Sequence, residues 1–134
     1  MWGIKTMFFA RSVGNAGEVI AFEPNPENCL KLQENVRLNN VHDVRVMKIG
    51  VGNKKETRIL AVRSYEGATG CMTEGKSRIL EERRSKCFQV EVYPLDVYIE
   101  EDNLPKPNFV KIDVEGMGYN VLLGMKNTIT KHNP

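Results

Sequence analysis

At 134 residues, with an ordinary apolar fraction of 41%, the chain is one domain or part of one and is long enough to bury a core. Nineteen basic and seventeen acidic residues leave a formal charge of +2, which gives no argument for a nucleic-acid or membrane partner. Cys29, Cys71 and Cys87 are odd in number and lack metal-ligand spacing, and the apolar run Met7–Ala10 is far too short for a signal or a span; the sequence predicts a soluble, cytoplasmic protein with no disulfide framework and no metal.

Ile4 to Val13 reads as a helix, with Ile4, Met7, Phe8 and Arg11 stacked at helical spacing, and Gly14-Asn15-Ala16-Gly17 stops it in a turn. Glu18 to Glu23 is a strand whose middle is wholly apolar, the pattern of a parallel, interior strand. Pro24-Asn25-Pro26 then redirects the chain. Asn25 suits an N-cap and Pro26 the first helical position, and the helix runs to about Asn39 with Cys29, Leu32 and Val36 inward. Asn39-Asn40 can close it in the left-handed conformation that Asn tolerates. A second strand is predicted at Val44–Ile49, a glycine turn at Gly50–Asn53 and a third strand at Thr57–Val62, a strand–helix–strand alternation that signals a βαβ crossover.

Ser64 to Lys86, with Gly67, Gly70 and Gly75, gives no clear element; its mixed-charge part, Lys76 to Lys86, reads as a solvated helix or loop rather than a phosphate-binding patch, since Glu81 and Glu82 dilute its charge, and Tyr65 to Lys86 is expected to shape a substrate pocket. Phe88, Val90 and Val92 alternate with Gln89, Glu91 and Tyr93, as in a strand with one buried face. After Pro94 a short helical segment covers Leu95–Ile99. Tyr119 to Ile129 is the last predicted helix, with Val121, Leu122 and Met125 inward.

Two stretches carry the chemistry. Phe109 to Gly116, FVKIDVEG, has the apolar, β-branched character of a buried strand, yet a period of two sets Lys111, Asp113 and Glu115 on one face. The carboxylates fall at its C-terminal end, where open α/β sheets bind ligands. A bland account pairs Lys111 with Asp113 and lets Glu115 open a solvated turn; for Asp113 a functional role is favoured. Glu23 ends its strand 20 positions after Gly3, which itself opens a helix. An acidic residue at that spacing is what a nucleotide-binding βαβ unit uses to accept ribose hydroxyls. Alternatively, Glu23 caps the helix that begins at Pro26.

EVIAFEPNPENCLKLQENVRLN at Glu18–Asn39, VRVMKIGVGN at Val44–Asn53, Pro94-Leu95-Asp96 with Tyr98, and FVKIDVEG together resemble the FkbM-type S-adenosylmethionine-dependent methyltransferases over nearly the whole chain. The resemblance implies an α/β class I methyltransferase fold, a Rossmann-like, mostly parallel sheet flanked by helices. It also implies S-adenosylmethionine as cofactor and, usually, O-methylation of a hydroxyl on a sugar or small metabolite. Carried over, Glu23 would hold the cofactor ribose, Pro24 and Asn25 would line the adenosine, and Ile49 and Gly50 would border the adenine. Asp113 would lie beside the transferring methyl as general base, with Glu115 as second candidate.

Gly3 would be the last glycine of the family's Asp-x-Gly-Ala-Asn-x-Gly motif. The central strand and the acidic residue before it are missing, and a further strand is expected beyond His132. Residues 1–134 are therefore expected to form a single, incomplete methyltransferase-like domain, truncated at the N-terminus and beyond His132, with a homo-oligomer or a completing subunit as one way to supply the absent strand. Gly118 stands where the family usually carries an acidic residue. The alternative is a non-catalytic truncated domain, an interaction partner or a gene remnant. An RNA-modifying reading rests on Asn103-Leu104-Pro105, which precedes the KIDVEG strand when it should follow; position and net charge both argue against it.

Overall fold

The computed structural model describes residues 3–63, 70–73, 85–101 and 104–134. They fall into two compact units, Met1–Ile49 and Gly50–Pro134.

In the first unit, helix α1 (Ile4–Val13) has the predicted bounds and begins from Gly3, whose φ of 89° is one that a side chain would disfavour. A single 3-10 turn, Gly14–Ala16, leads to strand β1 (Val19–Phe22). Helix α2 (Pro26–Leu38) follows, with Pro26 at its first position and the Asn25 side chain accepting the Glu27 N–H at 2.9 Å. Asn40, at φ 51°, closes the helix. Strand β2 (Val44–Met47) then pairs parallel to β1 from Val19↔Val44 to Phe22↔Met47, completing the βαβ unit. Cys29 and Leu32 are buried as the periodicity predicts, and Val36 is half-buried. The apolar middle of β1 predicts an interior strand, yet all four of its residues are only half-buried. Among the described residues it pairs with β2 alone, so its other edge has no strand to cover it.

The second unit is a four-stranded sheet in the order β3-β6-β4-β5: β3 is Gly50–Val51, β4 Glu56–Arg63, β5 Gly70–Thr73 and β6 Ser85–Tyr93. Gly50 thus begins a strand parallel to β6, and the predicted turn falls later, at residues 52–55. The parallel pairs β1–β2 and β3–β6 carry the Rossmann-like character, while β4 runs antiparallel to both of its neighbours. Leu60, Val62, Val90 and Val92 form the core with Phe88 packed against them, as the alternation along β6 predicts. The expectations for residues 64–69 and 74–84 lie outside the described residues; Gly70–Thr73, where the sequence gives no clear element, is β5, and Ser85 and Lys86, expected at the end of a solvated helix or loop, instead open β6 by pairing with β4.

Helix α3 (Leu95–Glu101) agrees with the predicted segment. The predicted last helix is instead two, α4 (Gly118–Gly124) and α5 (Lys126–His132), broken at the buried Met125. The break frees backbone donors at the start of α5, and Asp96 of α3 takes them: it accepts from the backbone N–H of Asn127 and Thr128 at 2.8 Å and from the Thr128 hydroxyl at 2.7 Å. Val121 and Met125 face inward as predicted, but Leu122, predicted inward, is 46% exposed. Replacing Asp96 by Ala removes all three bonds. A loss of about 2 kcal/mol in urea denaturation is expected, by the scale of charged hydrogen bonds and helix caps.

The strand predicted at Phe109 to Gly116 does not form. Residues 109–114 are irregular backbone outside any sheet, with Phe109 66% exposed, and residues 115–117 form a turn in which Gly116 takes φ 72°. The composition of this stretch favours a strand, but a strand needs a neighbour to complete its ladder, and the stretch joins neither of the two described sheets. No helix among the described residues is long and apolar enough to cross a membrane.

Candidate functional site at the tip of β1

The site is built from the carboxyl end of the parallel pair. Glu23 continues β1 by donating its N–H to the Met47 carbonyl at 3.0 Å, so the chain leaving β2 through Lys48 and Ile49 emerges at the same end. Pro24 and Asn25 turn the chain into α2. The Asn25 N–H donates to Glu23 Oε1 at 2.9 Å, while the Asn25 carbonyl accepts the Cys29 N–H at 2.8 Å. Asn25 is buried, and its side chain is committed to capping α2. The capping role read for Glu23 thus falls to Asn25, while Glu23 accepts the N–H of the N-cap residue and keeps its half-buried carboxyl at the strand tip.

Burial pushes the Glu23 carboxyl above its ordinary value, and hydrogen bonds from the Asn25 backbone and the Asn28 side chain pull it part of the way back. Cys29 lies in the same field: burial and then the charge of Glu23 raise its thiol, with Lys48 acting in the opposite direction. Cys29 and Lys48 also border a surface groove of about 260 Å³ with Pro26, Leu30 and Gln33. Asn28, Cys29 and Lys48 are not among the candidates from sequence. Asn28 has a signal, because it stands at N3, where a side chain often reaches back over the helix start. Cys29 and Lys48 have no such signal, and Lys48 comes to act on Cys29 only once β2 lies beside β1.

Gly3 lies in the same unit but packs elsewhere: a Cβ there would meet Leu32 Cδ1 at 3.1 Å and Asn35 Nδ2 at 3.3 Å, at one end of a groove of about 440 Å³ between α1 and the end of α2. Gly50 is buried and opens the second unit, opposite Val92.

Asp113 and Glu115 lie in the second unit. Asp113 has a side chain 58% exposed and pairs with Lys111 at 3.8 Å; Glu115 opens the exposed turn. The pairing and the solvated turn are those of the bland account. Met117, the last residue of that turn, is buried, and its sulfur accepts from Arg58 Nη1 and Asn120 Nδ2 at 3.6 Å each. Arg58, itself buried, pairs with Glu56 at 2.7 Å. Burial raises the Glu56 carboxyl, but bonds from Arg58 and Lys54 and their charges outweigh it and hold the group below its ordinary value. Among the described residues no cluster of His, Cys, Asp and Glu could hold a metal ion.

Residues 3–134 match the family described as the Methyltransferase FkbM domain. The chain is similar to Methyltransferase 1 of Beauveria bassiana, at 29% identity covering 92% of this chain and 54% of that protein. It is also similar, at 29% identity, to hexuronic acid methyltransferase AglP of Haloferax volcanii, covering 86% of this chain and 44% of that one. The crystal structure of methyltransferase FkbM from Methylobacillus flagellatus KT shares the fold, with a TM-score of 0.61 at 20% identity over 99% of this chain and 30% of that one. The chain spans about half the length of the curated relatives it matches.

Proposed function

The chain belongs to the FkbM methyltransferase family, and we propose that it serves S-adenosylmethionine-dependent O-methylation of a hydroxyl on a sugar or small metabolite. The observation that carries this reading is the Glu23 carboxyl at the carboxyl end of a parallel βαβ unit, with Oε1 held by the Asn25 N–H. A carboxylate so placed suits the two donors of a ribose diol, which is the part of the cofactor that the described residues fit. Pro24 and Asn25 would line the adenosine, and Ile49 and Gly50 would border the adenine.

Bound S-adenosylmethionine supplies a methyl made electrophilic by its sulfonium. The chain's own tasks are to bind the ribose, orient the acceptor hydroxyl and take up its proton, the last assigned to Asp113 with Glu115 as second candidate. The hexuronic acid named for AglP supports a sugar acid as the acceptor class.

One observation favours a second reading, a non-catalytic domain that acts through a partner. Among the described residues β1 has β2 as its single strand neighbour, and a further subunit or a second copy of the chain would supply a strand for the other edge.

Calorimetric titration with S-adenosylmethionine separates the two. Micromolar binding is expected, and Glu23→Gln should weaken it about 10- to 100-fold, the scale of a charged hydrogen bond. Because the ribose donates to the ionised form and burial raises this carboxyl, wild-type affinity should begin to fall on acidification at a higher pH than for an ordinary glutamate. A carboxyl raised on folding adds stability that is full below its unfolded value and is lost as pH rises through its folded value. Glu23→Gln should therefore melt no lower than wild type at pH 7. An unchanged dissociation constant in Glu23→Gln removes Glu23 from the site; no binding by the folded wild-type chain selects the non-catalytic reading.

A further inference from the structure

Glu23 has two hydrogen-bond donors, and they arise from an unusual division of labour at the start of α2. In a capping box the N3 side chain reaches back to the backbone N–H of the N-cap residue. Here the N-cap is Asn25 and N3 is Asn28, but the Asn25 N–H is already taken by Glu23 Oε1 at 2.9 Å. The Asn28 amide is thereby released from the cap, and it bonds to the Glu23 carboxyl instead. Asn28 is only 6% exposed, so water has little access to replace that bond.

We infer that Asn28 is a positioning residue: from N3 of α2 it orients the Glu23 carboxylate and keeps it an acceptor for the cofactor's ribose diol. This rests on the cofactor role proposed for Glu23. The Asn25 backbone donor fixes Oε1 alone, and one bond leaves the carboxyl free to rotate about its terminal torsion. A second donor on a helix removes that freedom. It also compensates the burial of a carboxylate whose charge is felt by the Cys29 thiol on α2, on which Lys48 beyond β2 acts in the opposite direction.

A helix-capping role and a positioning role predict different results for Asn28→Asp. Aspartate at N3 is favourable to the helix dipole, so a capping role would leave this variant as stable as wild type or more so. It nevertheless replaces the donor beside Glu23 by a like charge. The test follows the side-chain carboxyl ¹³C resonance of Glu23 against pH in the cofactor-free protein, and the S-adenosylmethionine dissociation constant at pH 6 and pH 8, in wild type, Asn28→Asp, Asn28→Ala and Glu23→Gln.

The Glu23 midpoint should move up in both Asn28 variants, and affinity at pH 6 should fall about tenfold, with a smaller loss at pH 8 in Asn28→Ala. A Glu23 midpoint unchanged in Asn28→Asp and Asn28→Ala overturns the inference, whatever happens to the melting temperature. An unmoved dissociation constant in Glu23→Gln, with the midpoint still shifted by Asn28→Asp, instead overturns the cofactor role of Glu23. The two failures are thus told apart.

Discussion

Gly124→Ala is expected to destabilise the chain by about 3 kcal/mol or more, the upper end of what overpacking costs. A Cβ at Gly124, the last residue of α4, would overlap the Gly52 carbonyl oxygen and come within 2.8 Å of its carbon and 3.2 Å of Pro94 Cα. All three are backbone atoms, in the turn after β3 and at the entry to α3, so no side chain can rotate aside. Gly118, at the other end of the same helix, has nothing within 4 Å of where its Cβ would lie. Gly118→Ala should therefore be neutral or slightly stabilising, since alanine is the better helix residue. Urea denaturation of the two variants side by side is the measurement. Equal midpoints would show that α4 does not approach Gly52 this closely in solution.

The same contact shows where the sequence falls short. Signals written within a few residues are legible. Asn25-Pro26 marks the start of α2, the glycines bound α1, and Phe88, Val90 and Val92 define the buried face of β6. Each is a local preference that tertiary packing reinforces. Gly52 and Gly124 are separated by most of the second unit, and neither has a local pattern that announces the other. The break at Met125 is of the same kind, because the residue that stabilises it, Asp96, lies on another helix. Met125 alone reads as an ordinary inward position of a continuous helix.

For the candidate site, Glu23 is legible because strand, turn and cap follow one another in the chain. Its electrostatics are not: Lys48 reaches the region only once β2 lies beside β1. FVKIDVEG shows the converse. Its composition reads as a buried strand, but a strand is a relation between two segments, and outside a sheet the same residues leave Phe109 and Val114 exposed.

Asp113→Asn is expected to lower methyl transfer about 10²- to 10⁴-fold, the scale of a general base, while S-adenosylmethionine affinity stays within about twofold. Asparagine keeps the shape of the side chain and its capacity to accept a hydrogen bond from the acceptor hydroxyl, but it cannot take up the proton. The competing account is that Asp113 matters only through its 3.8 Å pair with Lys111. That pair is exposed, and pairs of this kind contribute at most about 1 kcal/mol, so neither Asp113→Asn nor Lys111→Met should unfold the chain. Transfer of a labelled methyl from S-adenosylmethionine to a uronic-acid acceptor, measured in both variants, separates the accounts. If Asp113 is the base, Lys111→Met retains most of the activity and Asp113→Asn loses it. If the pair only orders the segment, the two variants lose activity equally. In that case the turn held by Met117 between Arg58 and Asn120 would be what the Asp113 pair supports, and Glu115 would become the carboxylate to test as the proton acceptor.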